Sequence, residues 1–238
     1  MKKTARTTYA LFFIVALSFG SLAMALETAN PGPPEFSGIA MGKQVGSITS
    51  FLQKNVRLPE GTDAFGLMGT AVVEFTVSAS GEISNFNVIN SLLPALDNEI
   101  IEALKQTNGN WKPGTQNGKA VSMKHEVSLV FKPNQNFDLT KIATNYTTKG
   151  NEKLLGDHDA DKALKQYEKA VTLLPYECSF LAYRGLSKYE LGDTQGGTED
   201  FKRIAYIMKS GMAAFVLESL DPQAKSLKGY QALASALK

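Results

Sequence analysis

The chain has 238 residues, 43% apolar and 20% charged, enough to bury one large core or two small ones and too apolar to read as disordered. Its formal charge of +2 comes from Lys2, Lys3 and Arg6; beyond residue 25, 22 basic residues face 23 acidic ones, which leaves no basic face for nucleic acid. A single cysteine, Cys178, excludes a disulfide framework within the chain and a thiolate metal cluster, and its place after a Pro-Tyr-Glu turn reads as a small buried hydrophobe.

Residues 1–25 read as an export signal. Lys2, Lys3 and Arg6 form the positive end, Tyr9–Phe19 is the apolar run, and Ala23-Met24-Ala25 matches the small-x-small cleavage pattern. No cysteine follows, so lipoprotein processing is excluded. The alternative is an uncleaved anchor, since Tyr9–Leu26 is about long enough to cross a bilayer with its positive end inside. Cleavage after Ala25 gives a periplasmic protein. Retention gives an inner-membrane protein facing the periplasm, and only then does the chain touch a membrane.

Residues 26–40 read as a Pro-rich connector, with Ala29–Phe36 (ANPGPPEF) offering no core-forming content. A first domain follows over 41–133. Val45, Ile48, Phe51 and Leu52 recur at helical spacing, and that helix ends near Arg57-Leu58-Pro59. Ala71–Val77 and Ile83–Ile89 alternate as strands, with Ser80-Gly81 as the tight turn of a hairpin. Leu96, Ile100, Ala103 and Leu104 form the apolar stripe of a second helix, with Asp97 and Glu99 near its positive end. Trp111–Phe131 closes the set. Pro113-Gly114 breaks the chain and Asn117-Gly118 supplies residues that tolerate positive φ. A long strand then places Val121, Met123, Val127, Leu129 and Phe131 on one face. The order helix, strand, strand, helix, strand predicts an α+β layer, a three-stranded antiparallel sheet with two helices on one face.

This order resembles the C-terminal domain of TonB-type proteins from about Phe51 to Lys132. The resemblance is carried by Phe51–Pro59 (FLQKNVRLP), Gly69–Val77 with Gly81, Ser91 with Leu96-Asp97, Trp111-Lys112-Pro113-Gly114 and Asn117-Gly118-Lys119. The family often has an aromatic residue where His125 stands and a proline where Ser128 stands. His125 falls on the inward strand face and reads as a hydrogen-bonded core residue. The resemblance implies a binding module without catalytic residues. TonB itself adds an extended segment of an outer-membrane transporter as a strand at its sheet edge, and the residues here that match this role lie on the last strand. Val121, Lys124, Glu126, Ser128 and Val130 are therefore the candidate partner-binding residues. Polar residues on an edge strand also guard a sheet against unwanted pairing.

The resemblance raises a second reading, an anchored TonB-like energy transducer. Fewer than 25 residues separate the apolar run from the first helix, where the family's transducers carry a long Pro-rich spacer. Fully extended, such a stretch reaches under roughly 90 Å. Tyr9–Leu26 also lacks the polar residue, often His, that the family's anchor carries.

Lys132–Asp138 (KPNQNFD) marks a boundary, and residues 134–238 switch entirely to helical spacing. Tyr146, Gly150, Ala163, Tyr167, Ala170 and Pro175 form one unit, and Ala182, Gly185, Gly192, Gly197, Phe201 and Ile204 the next. Tyr167 to Phe201 and Ala170 to Ile204 are both 34 apart, so the region resembles tetratricopeptide repeats. Gly197 stands where that family prefers Ala. Two repeats leave an apolar end, which Met212–Leu220 and Ala224–Leu237 are expected to cap as further helices.

Asp157, Asp159, Asp161 and Glu168 have positions 1, 3, 5 and 12 of a calcium loop, but Lys162 replaces the glycine of the sharp turn. The segment reads instead as an inter-helix turn with Asp159 or Asp161 as N-cap. No catalytic triad, zinc helix or phosphate loop is present, and Asp97/Glu99 and Glu199/Asp200 read as solvated helix faces. The expectation is a non-enzymatic interaction protein with no metal, no cofactor, no nucleic acid and no evident small-molecule substrate. It binds envelope or outer-membrane protein segments by strand addition or in a helical-repeat groove, in association with TonB-dependent transport.

Overall fold

A computed structural model describes residues 31–60, 67–208 and 212–235. Residues 1–25, read as an export signal, and the expected cleavage after Ala25 lie outside the described residues. No described helix is long and apolar enough to cross a membrane.

The first part of the chain is built on a three-stranded antiparallel sheet. Its central strand is β4 (Gly69–Val77), flanked by β5 (Ile83–Asn90) and β9 (Met123–Phe131). Glycine is needed at the β4–β5 turn for two reasons. Gly81 has φ +85°, and a Cβ there would sit 2.3 Å from the Trp111 carbonyl oxygen. A bulge follows on β5, where Asn85 takes a left-handed conformation (φ 53°) at the register shift opposite Phe75.

One face of the sheet carries Ala71, Val73, Phe75 and Val77 from β4, with Val127 and Leu129 from β9. Two helices cover it. The first is α1 (Ile48–Asn55), capped by the Ser47 hydroxyl and burying Phe51 and Leu52. The second is α2 (Pro94–Lys105), which buries Leu96, Ile100, Ala103 and Leu104. All four residues of the expected stripe are thus inside, because their spacing keeps them on one side of the helix. Trp111 fills the end of this core, edge-on to Phe75 at 5.1 Å, with its indole N–H donating to the Thr107 hydroxyl at 2.9 Å.

Three two-stranded ladders surround the sheet, and the sequence pattern did not foresee them. β1 (Glu35–Phe36) pairs with β6 (Trp111–Lys112), and β2 (Ile39–Ala40) with β3 (Lys43–Gln44). From residue 31 on, the stretch that reads as a connector is therefore packed structure. Phe36 lies 5.4 Å from Trp111, because that indole would otherwise leave a face open to water. β7 (Gly114–Gln116) and β8 (Lys119–Val121) form the third ladder around Asn117 (φ 51°) and Gly118 (φ 72°), a primed two-residue turn. The last strand starts at Met123 rather than Val121, which belongs to the preceding hairpin.

The second part is helical. α3 (Leu139–Asn151) ends in a π-turn over Glu152–Gly156, followed by α4 (Ala160–Leu173), α5 (Cys178–Glu190) and α6 (Thr194–Met208). Two shorter helices, α7 (Ala213–Glu218) and α8 (Gly229–Ser235), flank a 3-10 turn at Pro222–Ser226. A repeated small-on-aromatic contact organises the longer helices. A Cβ on Gly150 would lie 2.5 Å from the Tyr167 ring, and one on Gly185 would lie 2.8 Å from the Phe201 ring. Tyr167 and Phe201, the pair 34 residues apart, are both fully buried. Gly197 also has a structural reason, since a Cβ there would meet the Gly185 carbonyl oxygen at 2.8 Å.

Two acidic residues read as solvated are in fact buried. Asp97 accepts a hydrogen bond from the Ser91 hydroxyl, and burial pushes its carboxyl above the usual range. Asp200 is held between α5 and α6 by Arg184 (Nε to Oδ2, 3.0 Å) and Lys188 (2.9 Å). A charge inside a helix pair is tolerated because both cations come from the neighbouring helix.

Candidate functional site

The strand register decides which side chains share a face. Thr70, Val72, Glu74 and Thr76 of β4 lie opposite Val130, Ser128, Glu126 and Lys124 of β9. This face, expected to be open, is covered in part by the helical region, so β4 is buried on both sides. The physical reason lies in polar complementarity, which alternation alone does not reveal. The Thr70 hydroxyl donates to the Leu173 carbonyl at 2.8 Å, and Asn90 Nδ2 donates to the Thr172 carbonyl at 3.1 Å. Both acceptors sit at the C-terminal end of α4, where helix carbonyls lack internal partners. Gly69 permits the approach, since a Cβ there would lie 2.7 Å from the Thr172 oxygen.

Glu74 and Glu126 are directly opposite across the strands, an arrangement that repels unless each finds a cation. Lys124 Nζ reaches Glu74 at 2.8 Å. Arg203 of α6 grips both carboxylate oxygens of Glu126, with Nη2 to Oε2 at 2.7 Å. The guanidinium lies over the rings of Tyr176 (5.4 Å) and Tyr206 (5.1 Å). The Tyr176 hydroxyl donates to Glu126 Oε2 at 3.3 Å, and burial pushes its phenol up to about 12, so it stays a donor at neutral pH. Arg203 Nε is buried without a hydrogen-bond partner among the described residues.

Of the residues expected to meet a partner, Lys124 and Glu126 therefore have partners within the chain, and Val121 stands apart on β8. Ser128 and Val130 remain. They line a groove of about 490 Å³ with Thr144 of α3 and Leu174, Tyr176 and Phe180. Val130 is 54% exposed. The outer edge of β9 pairs with no strand among the described residues, so its backbone groups on that side are not in a ladder. Arg203, Tyr176 and Tyr206 had no signal in the sequence, because nothing local ties residue 126 to residue 203.

His125 lies on the inward face as expected, but aromatic rings hold it rather than a hydrogen bond among the described residues. It packs 5.6 Å from Phe75 and 5.0 Å from Trp111, and burial lowers its pKa. The calcium-like spacing is used for capping. Asp159 accepts from the Lys162 N–H at 3.0 Å, while Asp157 and Asp161 pair with Lys153 and Lys165, each at 2.6 Å. No group of three His, Cys, Asp or Glu among the described residues is arranged to hold a metal.

Residues 54–133 match the family model described as Gram-negative bacterial TonB protein C-terminal. The match runs from within α1 to just past β9, so it contains the whole three-stranded sheet, and the helical region lies beyond it. Neither the curated proteins nor the solved structures contain a match to the chain.

Proposed function

We propose that the protein is a non-enzymatic interaction module of the Gram-negative cell envelope that captures an extended segment of another envelope or outer-membrane protein by strand addition. The observation that carries this reading is the nine-residue strand β9, whose outer edge is unpaired among the described residues and lies within the family match. An added strand gains main-chain hydrogen bonds along that edge whatever its sequence, and side-chain contacts supply the choice. The helical region, with its 34-residue repetition, supplies a second protein-facing surface of tetratricopeptide character.

Synthetic ten-residue peptides from the N-terminal segments of the host's outer-membrane transporters test the reading by fluorescence anisotropy on the purified chain. Strand addition predicts that N-methylation of one alternate set of peptide amides abolishes binding while methylation of the other set is tolerated. Equal tolerance of both sets would falsify it. The location is tested by intact mass and fractionation from the host. A chain beginning at Leu26 in the periplasmic fraction supports a free module, whereas a full-length chain in the inner membrane supports the anchored transducer.

A further inference from the structure

The helical region walls a groove whose floor is the outward face of β9. Ser128 and Val130, two residues apart and on the same side of the strand, form that floor with Thr70 beside them. The Thr70 hydroxyl bond to Leu173 fastens the floor to the end of α4. Thr144 of α3 lines it together with Leu174, Tyr176 and Phe180. The Tyr176 hydroxyl, donating to Glu126, ties this lining to β9. A groove beside an unpaired strand edge is where an added strand would point every second side chain. Its volume, about 490 Å³, suits two aliphatic side chains, and its walls are mainly apolar. At its rim stands Glu177, an exposed carboxylate with no ion pair among the described residues.

We infer that this groove selects the added segment: an extended peptide with aliphatic side chains at two alternate positions and a Lys or Arg beside them, read jointly by β9 and by α3 and the α4–α5 turn. The inference rests on strand addition at β9. It assigns the choice of partner to the helical region, which lies outside the family match. Desolvating the two aliphatic side chains supplies the preference. The rim carboxylate adds a smaller, salt-sensitive term because it faces water.

The probes are ten-residue peptides carrying Thr at one parity and either Val or Asn at the other, flanked by Lys or Glu, titrated against the full chain. Val peptides are expected to bind roughly tenfold tighter than Asn peptides. Lys flanks are expected to improve binding about threefold at low salt, a gain removed by Glu177→Gln. Thr144→Trp fills the groove from an exposed helical position, and Val130→Ser weakens its floor without adding bulk. Both should erase the difference between the Val and Asn peptides while leaving the melting temperature unchanged. A Val preference that survives both substitutions, in peptides whose binding N-methylation still blocks, overturns the groove and leaves strand addition standing. Binding insensitive to N-methylation, or no binding by any peptide, overturns both.

Discussion

At the scale of single residues, the pair Glu126–Arg203 and the ring of His125 carry the sharpest consequences. Both charges of the pair are largely out of water, with side-chain exposures of 9% and 13%. Removing one leaves the other buried and uncompensated, so Arg203→Met should lower stability by about 3 kcal/mol in urea denaturation. The double variant Glu126→Gln/Arg203→Met should cost less than the sum of the two single changes, since neither charge is then stranded. His125 works in the opposite sense to a surface histidine. Burial keeps it neutral in the folded state below the pH, about 6.5, at which the unfolded chain takes up a proton. The unfolded state then binds more protons, so stability should fall as pH drops below about 6.5. His125→Phe, which keeps the aromatic contacts with Phe75 and Trp111, should flatten the difference in melting temperature between pH 7.5 and pH 5.5. An unchanged pH dependence in that variant would show that another group sets it.

At the scale of elements, the helix crossings rest on missing side chains. Helix propensity alone favours Gly→Ala by about 1 kcal/mol. At Gly150 and Gly185 the structure reverses that sign, because the new methyl would enter the rings of Tyr167 and Phe201. Each substitution should destabilise by about 1–3 kcal/mol, read by thermal melting, as overpacking of a filled core does. Gly156 is the internal control, since a Cβ there meets nothing within 4 Å. In the sheet, Gly81→Ala should be more damaging than a typical turn change. It combines a left-handed backbone with a collision against the Trp111 carbonyl, so the near-ultraviolet signal of that tryptophan should weaken with stability.

For the whole molecule, the seam between the sheet and the helical region makes the two parts one mechanical unit. Thr70 and Asn90 bond the end of α4, Glu126 holds α6 through Arg203, and Tyr176 fills between them. A single cooperative unfolding transition is therefore expected, followed in parallel by tryptophan fluorescence, which reports the first part, and far-ultraviolet dichroism, dominated by the second. Arg203→Met together with Thr70→Val should separate the two signals into distinct transitions. Coincident transitions in that variant would mean that the seam contributes little to cooperativity.

Much of this was legible in the sequence. Period set the two helices over the sheet, the last strand and the run of helices after residue 138, because each buries a face whose spacing matches its geometry, and turn residues marked the Ser80-Gly81 hairpin. Tyr167 and Phe201, 34 residues apart, each meet a glycine of the preceding helix, Gly150 and Gly185, a contact that the spacing alone does not name. The short ladders were not legible, since two-residue strands have no period and Phe36 finds its place only against Trp111. Nor was the fate of the polar face. Lys124, Glu126 and Ser128 alternate as a solvent face would, and alternation records only which residues are polar, not what they meet. Tertiary structure brought Arg203 to Glu126 across 77 positions, buried Asp97 and Asp200, and turned one side of an edge strand into the floor of a groove. Local pattern determines faces, because a face is fixed by backbone repeat; partners depend on which faces are brought together, and that is decided only when the chain closes on itself.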